Sequence, residues 1–180
     1  MGRPAAGEGG GGVSGLEQVK AAIARALEQA GTAARAAYAP GWARSYEEPV
    51  VAVGLRMGES RGGAVGGYLG EQVDPETLAC REIYGMRLEL TLSLDIYSPP
   101  GLGAAGCDSA LETLHRVMLG SLPSGLRPTE LKWEETGWDE DTSMFLRRGS
   151  LSCSAFFTAL AEEDGALISD FILKGVVTKG

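Results

Sequence analysis

The run Tyr84–Pro99, YGMRLELTLSLDIYSP, constrains this chain more than any other stretch. Met86, Leu88, Leu90, Leu92, Leu94 and Ile96 fall on one parity, and Arg87, Glu89, Thr91, Ser93, Asp95 and Tyr97 on the other. Successive side chains of a strand point to opposite faces, so the pattern predicts a strand with one dry face and one wet face. A helix would scatter the six apolar residues around its circumference. At about 3.3 Å per residue, residues 86–97 extend about 40 Å. A compact chain of 180 residues is itself only about 40 Å across. The remaining elements must therefore be arranged against the oily side of this strand.

Two helices are expected to cover it. Ser14-x-x-Glu17 fits a capping box, in which each residue satisfies an orphan backbone amide. Leu16, Val19, Ile23, Leu27 and Ala30 then form one apolar stripe, and Gly31 is a natural stop. After Pro99-Pro100-Gly101 ends the strand, a second helix is expected from about Asp108 to Leu119. Asp108 or Ser109 caps it, Ser109-x-x-Glu112 reads as a second capping box, and Leu111, Leu114, Val117 and Met118 form its stripe.

Further strands are expected on either side. Val51, Val53 and Leu55 share a parity within residues 48–56. Residues 129–136 alternate around Leu131 and Trp133, and residues 137–142 form an acidic turn. Residues 143–161 place Leu151, Cys153, Ala155, Phe157 and Ala159 on one parity, and Glu163-Asp164-Gly165 signals a hairpin into a closing strand at 167–177. Residues 32–47 are ambiguous: their Ala-rich part could prolong the first helix, and Pro40-Gly41 ends it. The expected class is α+β, a mostly antiparallel sheet with two main helices packed on one face.

Two stretches stand apart from that frame. Residues 1–13 are dominated by Gly, Ala and Pro and read as a flexible tail, leaving 14–180 as a single domain. Residues 57–81 read as a long Gly-rich loop or arm, a length usually reserved for function or disorder. Tyr68 and Leu69 sit among its glycines as exposed apolar candidates, and Arg56, Arg61 and Arg81 flank it. These five are the candidate subunit contacts.

Charge and composition exclude several classes. A formal net charge of −8 and a pI near 4.7 argue against a nucleic-acid surface, which needs clustered Lys and Arg. No run of 18 apolar residues predicts a membrane span, and no basic-then-apolar leader is recognisable, so the expected location is the cytoplasm or a particle assembled there. Cys80, Cys107 and Cys153 form neither a disulfide framework nor a CxxC metal pattern. The glycines at 58, 62, 63, 66, 67 and 70 fit no phosphate-cradle motif.

Chemistry has few places to sit. His115 is the single histidine, and Cys107, eight residues upstream, is the one nucleophile that could pair with it. Glu134, Glu135, Asp139, Glu140 and Asp141 concentrate carboxylates around Trp138 without calcium-ligand periodicity, so a solvated turn or a patch for a basic partner is expected. No catalytic residue, metal site or cofactor is assigned, and the expected role is structural rather than enzymatic.

The order of elements resembles that of phage tail terminator (tail completion) proteins. Glu82-Ile83-Tyr84-Gly85, Asp95-Ile96-Tyr97-Ser98-Pro99 and Gly103-Ala104-Ala105-Gly106-Cys107 add to the likeness, which covers about residues 14–177. The similarity is to small proteins of contractile-tailed prophages and phage-like particles from Gram-positive bacteria. It implies a homo-hexameric ring, a virion structural protein that caps the tail tube and sheath and offers a surface to the head connector or neck protein. It implies no cofactor, no catalytic residue and no direct nucleic-acid binding, although the ring lumen would pass DNA. A tail tube or neck subunit is the neighbouring alternative. From another class, the alternative is an α+β small-molecule-binding module or enzyme with a pocket beside His115 and Cys107.

Overall fold

A computed structural model describes residues 15–36, 46–62, 67–73, 78, 80–120, 122, 125–161 and 167–168. The tail expected at residues 1–13, the Ser14 cap, the 163–165 turn and most of the closing strand lie outside these residues. The described elements run α1 (Gly15–Gln29), β1 (Ala33–Arg35), β2 (Val50–Gly62), β3 (Tyr68–Val73), β4 (Cys80–Ser98), α2 (Gly103–Gly120), β5 (Arg127–Trp133), β6 (Gly137–Asp139), β7 (Met144–Arg147), β8 (Gly149–Ala161) and β9 (Leu167–Ile168). The fold is α+β, with both helices on one face of a mostly antiparallel sheet.

β4 is the spine. One of its edges takes β3 along residues 80–84 and then β2 along 86–97, and the other takes β8 along 83–93 and then β7 along 96–98. β1 extends the first side in parallel with β2, so the Ala-rich segment after Gly31 turns into a strand instead of prolonging the helix. On the second side β5 pairs with β8, and β6 pairs with β7. The 143–161 run is therefore two nearly continuous strands broken at Arg148. Gly149 enables the close approach there, because a Cβ at that position would stand 2.7 Å from the Leu94 carbonyl oxygen.

The expected dry face holds over Leu88, Leu90, Leu92, Leu94 and Ile96, all buried, each contributing roughly 1.5–3 kcal/mol gross. Val51 and Val53 from β2 and Leu151, Cys153 and Ala155 from β8 occupy the same face by register. α1 adds Val19, Ile23 and Leu27, and α2 adds Cys107, Ala110, Leu111, Leu114 and Val117. Gly31, at φ 90°, ends α1 in a Schellman motif: its N–H bonds Glu28 O at 3.0 Å while Thr32 N–H bonds Leu27 O at 3.0 Å.

Five expectations are corrected. Met86 lies beyond the helices and is 41% exposed. The wet face is not wholly wet, since Tyr97 joins Val50, Ala52, Met144 and Leu146 in a second, smaller core on the side away from the helices. α2 begins at Gly103 rather than Asp108, which places Ser109-x-x-Glu112 inside the helix, where it caps nothing. The start is made instead by a turn in which Leu102 and Gly103 N–H groups bond Pro99 O at 3.0 and 3.1 Å, while Ser98 Oγ donates to Gly103 O at 2.8 Å.

The fourth correction concerns residues 57–81, which are not a plain loop. β2 runs on to Gly62, β3 occupies 68–73, and β4 already begins at Cys80. Glycine-rich sequence hid strands that pair through their backbones, where register needs no side-chain alternation. The acidic 137–142 segment is likewise shortened to a turn at 140–143, with Asp139 Oδ2 accepting from Thr142 N at 3.1 Å and from its Oγ1 at 2.5 Å.

Candidate functional site

The helices cover β4 only where its core residues lie, from Leu88 to Ile96. Residues 80–87, with β3 and the far half of β2, continue as a sheet extension about 25 Å long at strand geometry. On the helix-side parity of this extension stand Met86, Tyr84, Glu82 and Cys80, with Tyr68, Glu71 and Val73 opposite them on β3. Large apolar groups are left in solvent here: Val73 at 55% and Leu78 at 77% exposure, with Tyr68 and Met86 partly exposed beside them. Exposed apolar groups concentrated on one part of a molecule mark interaction surfaces more often than chance placement does.

The extension has an ordered chemistry of its own. The Tyr68 and Tyr84 rings meet edge to face at 5.8 Å. Glu71 and Glu82 are direct cross-strand partners, an arrangement of like charges that destabilises an isolated sheet. Each takes a donor: Cys80 Sγ donates to Glu71 at 3.2 Å and Tyr84 Oη donates to Glu82. The Cys80 thiol and Tyr84 phenol are pushed up mainly by those hydrogen bonds to carboxylates, and the Tyr68 phenol by desolvation and then by Glu71.

The five expected contact residues are not all brought together. Tyr68 lies on the extension, half-exposed. Arg61, Leu69 and Arg81 sit there in β2, β3 and β4, and their side chains are not among those described. Arg56 sits away from them, at the bulge between Leu55 and Met57, with its guanidinium 3.6 Å from Asp95 on the face away from the helices. Sequence reasoning missed Glu71, Glu82, Tyr84 and Met86. Tyr84 and Met86 belonged to the readable alternation, and the bulge between Tyr68 and Gly70 concealed that Glu71 faces Glu82.

Arg56 instead helps line a cleft of about 330 Å³ with Lys132, Trp133, Glu134, Arg148, Gly149 and Ser150. Lys132, Ser150 and Ser93 share a register row turned away from the helices. Lys132 is held by Glu130 at 2.8 Å. Arg148 has no acidic side chain in ion-pair reach among the described residues.

The Cys107–His115 pair is not assembled. Eight residues along a helix separate them by about 12 Å. Cys107 is buried, with its Sγ 3.7 Å from Ile96 O and from Phe145 O, and burial pushes its thiol up. His115 Nδ1 lies 3.0 Å from Leu111 O and its ring meets Trp133 edge to face at 5.0 Å. Among the described residues no group of three or more His, Cys, Asp or Glu is placed to hold a metal, and no helix is long and apolar enough to cross a membrane.

The sequence matches no protein-family model, and no curated protein aligns with it at a significant level.

Proposed function

We propose that this chain is a structural protein that forms rings in a phage tail or a tail-like contractile particle, and that it acts as the tail terminator. In this role a hexameric ring caps the tube and sheath and presents a surface to the head connector or neck protein. The observation that carries the reading is the sheet extension beyond the helix layer, with Tyr68, Val73, Leu78 and Met86 left exposed. Surface of that kind suits burial against neighbouring subunits or the tube. The element order adds the resemblance already described. The ring would assemble in the bacterial cytoplasm and remain in the particle.

Replacing Tyr68 and Leu69 with Asp tests the reading. Particle yield is expected to collapse while circular dichroism and thermal unfolding stay those of the parent chain. Unchanged yield would remove the extension from the account.

A further inference from the structure

We infer that copies of this chain join head to tail through opposite faces of the sheet. The carboxylate-and-tyrosine platform of one copy, Glu71, Glu82, Tyr68 and Tyr84, docks on the cleft of the next, where Arg56, Lys132 and Arg148 outnumber the one lining carboxylate, Glu134. The inference rests on the ring reading and names the surfaces that would make the ring.

The two patches are complementary in charge and chemistry. Glu71 and Glu82 oppose each other directly across β3 and β4, so a cation placed between them relieves a repulsion present in the isolated chain. Tyr68 and Tyr84 flank that pair, and tyrosine faces attract guanidinium groups. Arg56, Lys132 and Arg148 gather with a single lining carboxylate, Glu134, at one cleft in a chain whose net charge is −8. Asp95 and Glu130 reach Arg56 and Lys132, which leaves Arg148 as the cation best able to take a carboxylate from outside.

Placement makes the contact intermolecular. Glu82 and Tyr84 lie on the parity of Leu88 and Leu90, whereas Lys132 and Ser150 lie on that of Ser93. Patches on opposite faces of one sheet cannot meet within one molecule. Joining unlike patches of identical chains gives a heterologous contact, which closes into a ring when the rotation per subunit allows.

Charge reversal tests the pairing. Glu71→Lys with Glu82→Lys puts cation against cation, and Lys132→Glu with Arg148→Glu puts acid against acid. All four side chains are exposed, so both variants should keep the parent circular dichroism and melting profile. Each variant alone is expected to run at the mass of one chain, 18.8 kDa. An equimolar mixture is expected to regain the parent mass, because alternating copies restore an opposite-charge pair at every contact. The Gln variants of Glu71 and Glu82 are expected to weaken association about tenfold if either reversed chain is poorly folded. Reversed variants that assemble like the parent would overturn the pairing while leaving the ring intact, as would a mixture of folded chains that stays at one chain's mass. A parent chain that never exceeds one chain's mass would overturn both.

Discussion

A Cβ added at Gly106 on α2 would stand inside contact distance of Ser98 Oγ, 3.1 Å from Ser98 Cβ and 3.2 Å from Leu102 Cβ. The helix start is thus pressed against the end of the spine strand, and Ser98 is fully buried and already committed to Gly103 O. Alanine would raise helix propensity by about 1 kcal/mol but overpack a site where inserted methyl groups cost about 1–3 kcal/mol. Gly106→Ala is expected to lower the melting temperature by a few degrees. Ser98→Gly in the same chain is expected to recover part of the loss. Additive single effects would contradict the contact.

Arg147 links β7 to α2. Its Nη1 lies 2.8 Å from Asp108 Oδ1 and its Nε donates to Thr136 Oγ1 at 2.7 Å, while the side chain is only 14% exposed. Hydrogen bonds to a charged group contribute roughly 1.5–3 kcal/mol. Arg147→Met is expected to cost about that much in urea unfolding. Asp108→Asn should cost less, because Asp108 is 60% exposed and solvent screens its share. Equal losses from the two would show that the ion pair, rather than the Thr136 bond and packing, dominates.

The sheet was legible where side chains alternate. From Leu88 to Ile96 the apolar parity reads directly as burial, Ser93 being the one residue of the other parity that is buried too, and α1 reads directly from its stripe and its glycine stop. Three parts were hidden for physical reasons. The far end of β2, Gly58-Glu59-Ser60-Arg61-Gly62, and β3, bulged between Tyr68 and Gly70, carry no apolar–polar alternation, so their pairing leaves no side-chain pattern. Helix α2 starts on Gly103-Ala104-Ala105-Gly106, residues that announce no cap, and its start is fixed by the Pro99 turn and Ser98 instead. The second core around Tyr97 joins residues from three distant segments, Val50, Tyr97 and Leu146, and no local pattern can announce that. Residues 57–81 read as a loop or arm where strands run, and the carboxylate pair depends on register, which the sequence does not specify there.

Cys153 makes stability depend on alkaline pH. Burial, and then the Glu89 carboxylate, push its thiol from 9.0 up to about 11. A folded pKa raised above the unfolded value gives stability that is fully present below pH 9 and is lost as pH rises through 11. Two units correspond to something on the order of 2–3 kcal/mol. The urea midpoint of the parent chain is expected to fall more steeply between pH 8 and 10.5 than that of Cys153→Ala. Parallel slopes would show that the thiol takes no part.

The most direct test of the ring is mass. Multi-angle light scattering of the purified chain at high concentration, with negative-stain images of the same peak, is expected to give closed rings of about six copies. A strictly monomeric peak at every concentration, with no rings on the grid, would contradict the account.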